Sequence, residues 1–319
     1  MNPLTANDLR GVWAPTLPPF WPDDSLAEEQ LEHALQRMAA SGIHGIDDGG
    51  TRVESQQLSA EECLRIAELV TRVCSASGTP FQLGVGSKDP ELACERIRAL
   101  AEFEPGAIGV LLPDTESGSH EEILAVLHSY AEAAGSIGLV LDHPPHASMD
   151  LAPKACRSIR ESIPTVIGAR IGLGTEQWYE EWHKEVEGMS IFVPGHHHVT
   201  GKARGADGSC SNIAWMSPKG VLEINELCDG QMPKATDIES RVQCFLITNV
   251  LPFQIEECYS SEALDKLLAA AGGWMNGNAR LRSPQAWIAD ERVAHVRAAA
   301  IREIPWFLEH SESEAAEAV

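Results

Sequence analysis

The sequence predicts an α/β chain folded as a (β/α)8 TIM barrel with additional C-terminal helices. Three observations carry this. Short runs of β type alternate with amphipathic helical runs, the pattern of parallel strands joined by helical crossovers. Eight strand runs can be read off the chain, and eight parallel strands with crossovers close into a barrel. The length, 319 residues, suits one such unit, for which about 250 residues and upward is usual. The chain is therefore read as one barrel domain over 1–319. A helical extension begins at about residue 219, and the acidic tail 309–319 is expected to be mobile.

The predicted strands are Gly11–Thr16, Gly45–Asp48, Phe81–Val85, Ile108–Leu112, Gly138–Leu141, Val166–Arg170, Ile191–Pro194 and Gly208–Ser211. Between the early strands the apolar spacing is helical. Leu26–Ser41 sets Leu31, Leu35 and Met38 on one stripe and stops before Gly42. Ala60–Ala76 does the same with Ile66, Leu69 and Val73, and Pro90–Phe103 and His120–Ala134 follow. After the eighth strand, helical spacing recurs over Lys219–Leu227, Asp237–Leu251, Ser260–Ala271 and Asp290–Leu308.

Composition narrows the partners. Lys plus Arg number 24 and Asp plus Glu 47, for a net charge of −23. Such a surface repels nucleic acid and anionic lipid heads, so neither is expected as a partner. No run approaches the ~18 apolar residues of a membrane span. The start of the chain lacks the basic and apolar regions of a signal segment, and a cytoplasmic location is expected. The eight cysteines contain no CxxC pair and read as small buried hydrophobes in a reducing compartment. Cys210 stands apart because it falls on a strand.

In such barrels the active site lies at the C-terminal ends of the strands. The second strand delivers Asp47-Asp48-Gly49-Gly50-Thr51-Arg52-Val53-Glu54 there, and the third Gly84-Val85-Gly86-Ser87. The fourth gives Pro113-Asp114-Thr115, the fifth Asp142-His143-Pro144-Pro145-His146 and the sixth Arg170. The seventh gives Gly195-His196-His197-His198, and the eighth Ser209-Cys210-Ser211.

This succession resembles the dihydrodipicolinate synthase / N-acetylneuraminate lyase family across nearly the whole chain, from about Gly11 to Phe307. The best local match is Gly50-Thr51-Arg52-Val53-Glu54-Ser55 followed by Leu58-Ser59-Ala60-Glu61-Glu62, where the family has Gly-Thr-Thr-Gly-Glu and then a helix start. Gly84-Val85-Gly86-Ser87 matches the family's Gly-Thr-Gly turn, and Asp142-His143-Pro144 its Tyr-Asn-x-Pro turn. Gly205-Ala206-Asp207-Gly208 stands before the eighth strand as in the family. The resemblance implies a lyase working through a Schiff base between a sixth-strand lysine and a 2-oxo acid, and a homo-oligomer, dimer or tetramer. By the same alignment the lysine position is Arg170, in Val166-Ile167-Gly168-Ala169-Arg170-Ile171. A guanidinium stays protonated and cannot condense with a carbonyl. The family's relay tyrosines correspond to Leu141 and Thr115, its second threonine to Arg52, and its distal carboxylate-binding arginine to His146. Thr51 alone of that relay remains. Lys202 is placed one or two turns into a helix after the seventh strand.

The strand-end residues each admit two readings. Arg170 is either a carboxylate clamp or half of a structural ion pair with Asp142, Asp48 or Glu54. Strand alternation allows only one of Asp47 and Asp48 to face inward, and the resemblance favours Asp48. Clustered carboxylates can divide acid and base roles or bond the loop backbone, Arg52 or Arg170. His143, His146 and His196–His198 are ligand types for Zn2+ or Fe2+, general acids or bases, or solvated loop residues. Their spacing is no recognised metal signature, and three consecutive histidines cannot all point inward. Trp13, Trp21, Trp178, Trp182 and Trp215 read mainly as packing, with Trp215 a wall of the pocket.

The expected activity is that of an aldolase, hydratase or dehydratase acting on a small carboxylate, such as a 2-oxo acid or sugar acid, without a Schiff base. Arg170 and Thr51 hold the carboxylate, and Arg52, Glu54, His146 and Ser211 complete the binding set. A histidine (His143 or His196) and a carboxylate (Asp48, Asp114 or Asp142) move the proton. No cofactor is expected. The alternatives are a metal-assisted lyase or hydrolase using a divalent ion on the His/Asp rim, and a catalytically inactive small-acid binding or assembly protein.

Overall fold

The computed structural model describes residues 1–52, 57–112, 119–142, 151–274 and 279–308. Eight parallel strands close into a barrel in chain order: β1 Gly11–Pro15, β2 Gly45–Asp47, β3 Phe81–Val85, β4 Ala107–Leu111, β5 Gly138–Asp142, β6 Val166–Arg170, β7 Ser190–Pro194 and β8 Gly208–Cys210, with β8 returning to β1. The helices between them are α1 Glu28–Ala40, α2 Ala60–Ser77, α3 Pro90–Ala101, α4 His120–Ala134, α5 Pro153–Ser162, α6 Glu176–Glu185 and α7 His198–Arg204. After β8 come α8 Pro218–Leu227, α9 Met232–Asn249, α10 Leu251–Ile255, α11 Ser261–Ala271 and α12 Asp290–Glu303. No helix among the described residues is long and apolar enough to cross a membrane.

The four early helices fall where the apolar stripes predict them. Leu31, Leu35 and Met38 of α1 and Ile66, Leu69 and Val73 of α2 are buried against the barrel. Ser59 and Glu62 form a reciprocal capping box at the start of α2, and a satisfied cap of this kind stabilises by about 1 kcal/mol. Glu62 is also held by Arg282, whose hydrogen bond is the main cause of a carboxyl pushed down to about 2. The helices α5, α6 and α7, for which no boundaries are predicted, are short; α6 carries Tyr179 and Trp182 inward. Helix α9 starts five residues earlier than the periodicity suggests, because Pro233 in its first turn is compatible with helix entry.

The barrel interior is filled by Leu9, Trp13, Ala107, Val140, Ile167 and Phe192. Trp13 and Phe192 meet edge to face at 6.0 Å. The large indole needs space on the neighbouring strand, which Gly45 provides: a Cβ there would lie within the Trp13 ring. Gly45→Ala is expected to destabilise the fold by about 1–3 kcal/mol through overpacking. Urea unfolding checks this, as a lowered midpoint at unchanged slope.

Candidate active site

The pleat of β2 decides which acid enters the barrel. Asp47, fully buried, reaches across to Arg170 on β6, with Oδ2 2.5 Å from Nη2, and its Oδ1 accepts the Gly49 N–H at 2.9 Å. This corrects the expectation for Asp48. That residue follows on the opposite phase of the pleat, and its Oδ1 accepts the N–H groups of Gly50 at 2.8 Å and Gly84 at 2.7 Å. Asp48 lines a separate groove between α2 and α3, not the barrel mouth. Burial, with the Asp47 charge second, raises its carboxyl well above the usual range. The chain can pass this close to β3 because Gly50 has no side chain: a Cβ there would collide with the Gly84 carbonyl.

Arg170 ends β6 with its side chain 13% exposed. Its Nη1 donates to Asp142 Oδ2 at 3.2 Å, and the same oxygen accepts the Thr51 hydroxyl at 2.6 Å. Burial alone would favour loss of the Arg170 proton. The facing charges, Asp47 foremost, outweigh it and hold the guanidinium above its ordinary pKa. Asp47, Arg170, Asp142 and Thr51 thus form one connected polar chain, from β2 through β6 and β5 to the loop after β2. Of the ion-pair partners expected for Arg170, Asp142 is present and Asp47 stands in place of Asp48, and Arg170 lines the mouth.

A second network closes the mouth from the C-terminal side. Arg52 pairs with buried Asp265 of α11, which also accepts from Asn212 Nδ2 at 2.5 Å. The neighbouring Lys266, fully buried, donates to the carbonyls of Pro18 and Arg280 at 2.6 and 3.0 Å. Arg52 thus pairs with the protein's own carboxylate while it lines the mouth.

The mouth itself is a cavity of about 960 Å3, lined among others by Arg52, Asp142, Arg170, His196 and Cys210. No lysine is among its described lining residues. Lys202 lies on α7, 3.5 Å from Asp229. His196 sits in a 3-10 turn over Gly195–His197, and burial lowers its imidazole to about 4, so it is neutral at pH 7. His197 contacts Gln243 at 3.2 Å. His198 is buried between Ser209 at 2.8 Å and Asn225 at 3.0 Å, a structural role. Cys210 brings its thiol 4.0 Å from Asp47 Oδ2, and burial pushes the thiol up to about 11. Ser211, the expected ligand-binding residue after β8, is turned away: it is buried beside Gly195, outside the mouth lining. Trp215 is likewise buried, against Trp274 and the Pro15 carbonyl, and does not wall the mouth. Glu54, Asp114, His143 and His146 lie outside the described residues. Among the described residues no cluster of three or more His, Cys, Asp or Glu side chains is placed to hold a metal ion.

Sequence reasoning missed Asp47 as the inward acid, Asp265 as the partner of Arg52, and Trp178 and Ile171 as cavity wall. The period-2 rule could have found Asp47 had the strand phase been counted from Trp13 and Gly45, which pair in register. No local signal marks Asp265, because its role arises from a contact 213 residues distant.

Burial lowers His198 to about 4. A histidine depressed on folding contributes stability that is full above its unfolded value and is lost as pH falls toward the folded one. At about 1.4 kcal/mol per unit, the His198 contribution is expected to fall by about 2 kcal/mol between about pH 7 and about pH 5. The raised Asp48 acts in the opposite sense, so the informative quantity is the difference from His198→Gln. Urea unfolding at both pH values should show the shallower pH slope in H198Q.

Known proteins place this geometry. Residues 8–299 match the model of the dihydrodipicolinate synthetase family. The 4-hydroxy-tetrahydrodipicolinate synthase of Methanothrix thermoacetophila is 25% identical over 298 residues, 91% of this chain and 95% of that one. The synthase of Agrobacterium fabrum is 23% identical, over 86% of this chain and 92% of its own. Among solved structures, a catalytic-lysine mutant of the Ruminococcus gnavus sialic acid aldolase superposes with a TM-score of 0.81 at 18% identity, covering 97% and 100% of the two chains. The dihydrodipicolinate synthase of Cyanidioschyzon merolae gives 0.80 at 17%, covering 92% and 98%. These two likenesses bear on the fold. The family match spans most of the chain and agrees with the closed barrel: the chain belongs to the dihydrodipicolinate synthetase family.

Proposed function

We propose that this protein is a lyase of the aldolase, hydratase or dehydratase type, acting on a small carboxylate such as a 2-oxo acid or sugar acid without a lysine Schiff base. The observation that carries the reading is Arg170. It stands at the end of β6, lines the mouth, and is charged at every working pH. Two of its N–H groups are engaged by Asp47 and Asp142, and the rest have no partner among the described residues. A substrate carboxylate takes those remaining donors and draws the guanidinium off the partly exposed Asp142. Thr51 and Arg170 lie on the same Asp142 oxygen, so a ligand that engages either frees Asp142 to accept a proton from a carbon near the substrate carboxylate, C3 of a 2-oxo acid or C2 of a sugar acid. Neutral His196 is a second proton-handling group on the rim. The reading needs no metal, so chelation leaves turnover unchanged. Assembly as a dimer or tetramer, read from the family resemblance, belongs to the same proposal.

A second reading is favoured by the same ion pairs. If Arg170 serves chiefly to neutralise Asp47, the protein is a catalytically inactive family member that binds a small acid or acts in assembly. Turnover separates the two.

Arg170→Ala is expected to abolish turnover and any thermal stabilisation by small acids. It also leaves buried Asp47 unpaired, which costs about 3–5 kcal/mol. The pair Asp47→Asn with Arg170→Gln removes both charges and is the cleaner variant. Full activity in the folded double variant would sink the assignment. Borohydride with pyruvate should leave no covalent adduct on the wild type; an adduct on any lysine would restore Schiff-base chemistry and overturn the lysine-free mechanism.

A further inference from the structure

The mouth is chemically divided. Asp142, Arg170 and Arg52 come from the ends of β5 and β6 and the loop after β2, with His196 and Cys210 following at the ends of β7 and β8. Another stretch of the lining is mainly apolar: Leu151, Ile171 after β6, Trp178 on α6 and Val193 near the end of β7, with the Thr175 hydroxyl among them already accepting the Trp178 backbone N–H. Trp178 is fixed rather than loose. Its indole N–H donates to the Leu151 carbonyl at 3.2 Å, and its ring stacks on Trp182 at 5.1 Å. With its polar atom satisfied, the part of the ring that meets the cavity is purely apolar. Gly172 lines the same cavity, and a Cβ there would meet no atom of the described residues within 4 Å.

From this division we infer that the acid bound at the mouth carries an apolar second end, aryl or branched alkyl, seated against Trp178 and Ile171. The inference rests on the reading above that Arg170 holds a carboxylate. A polyhydroxylated end lying on Trp178, Ile171 and Leu151 would surrender water to side chains that return no hydrogen bond, which is costly. A second carboxylate would find no further cation beside Trp178 and Ile171 among the described lining residues. An aromatic ring gains by leaving water and by edge or stacked contact with the indole.

Calorimetric titration of three probes tests this: 4-phenyl-2-oxobutanoate, 2-oxobutanoate and gluconate. The wild type should bind the phenyl acid at least about tenfold more tightly than 2-oxobutanoate, the gain expected for burying a ring, with gluconate weakest. Trp178→Ala should reduce that preference to within about twofold and leave 2-oxobutanoate unchanged. Because Trp178 also packs on Trp182, Ile171→Asn, at a partly exposed wall position, is the second variant and should act in the same direction. A phenyl preference undiminished in both folded variants, or gluconate binding more tightly than the phenyl acid, overturns the inference. In either of those cases, binding that is lost in the Asp47→Asn/Arg170→Gln variant leaves the carboxylate reading standing. Failure of all three acids to bind the wild type brings down both.

Discussion

The site is organised by one requirement, that a permanently charged guanidinium buried at the end of a barrel strand be neutralised within reach. Arg170 has little solvent to carry its charge, so it is surrounded by Asp47 and Asp142. Taking a charge out of water costs several kcal/mol unless it is paired and hydrogen-bonded. This condition constrains three strands together. Asp47 must face inward on β2, Asp142 must align with Arg170 in the β5–β6 register, and Thr51 must arrive to share the Asp142 oxygen. The Gly49-Gly50 turn that brings Thr51 there is itself held by the Asp47 and Asp48 carboxylates. The geometry of the loop after β2 is therefore a consequence of charge neutralisation on β6.

The C-terminal helices share in this arrangement. Asp265 of α11 binds Arg52, one residue after Thr51, and Lys266 beside it fixes the carbonyl of Pro18 after β1. An extension that looks like an addition to the minimal barrel thus supplies two buried charges that position the mouth. Stability and site geometry are coupled through α11, so a change in its packing reaches Thr51 through Arg52.

The sequence made the barrel legible because its two periods are distinct. Apolar stripes such as Leu31, Leu35 and Met38 repeat at helical spacing, and the short strand runs between them leave one topology. It was least legible after β5, where helices of ten residues or fewer carry too few turns for a stripe to stand out. Within the site, legibility followed sequence distance. Arg170, Thr51 and Asp142 stand at strand ends and could be named from position alone. The choice between Asp47 and Asp48 depended on a one-residue phase, and a resemblance whose own acid-base residues are replaced here could not settle it. Trp178 read as packing because stacking on Trp182 and walling a cavity leave the same mark in a sequence. Ser211 failed for the opposite reason: β8 ends at Cys210, and the next residue turns under Gly195.

A lysine at the end of β6 can lose its proton and attack a carbonyl; an arginine cannot. Placing an arginine there changes more than one step. It removes the covalent route, and it introduces a charge that the barrel must balance with inward carboxylates. Those carboxylates, which a neutral amine would not need, are themselves proton acceptors. Asp142 is the one of the pair with solvent access, at 24% side-chain exposure against 0% for Asp47. An arginine at this position therefore brings with it, by electrostatic necessity, a carboxylate that keeps solvent access beside the cation. Around that pair the mouth carries a neutral His196 and the apolar side chains of Leu151, Ile171, Trp178 and Val193, so the charge on Arg170 is answered by the two carboxylates and not by the rest of the lining.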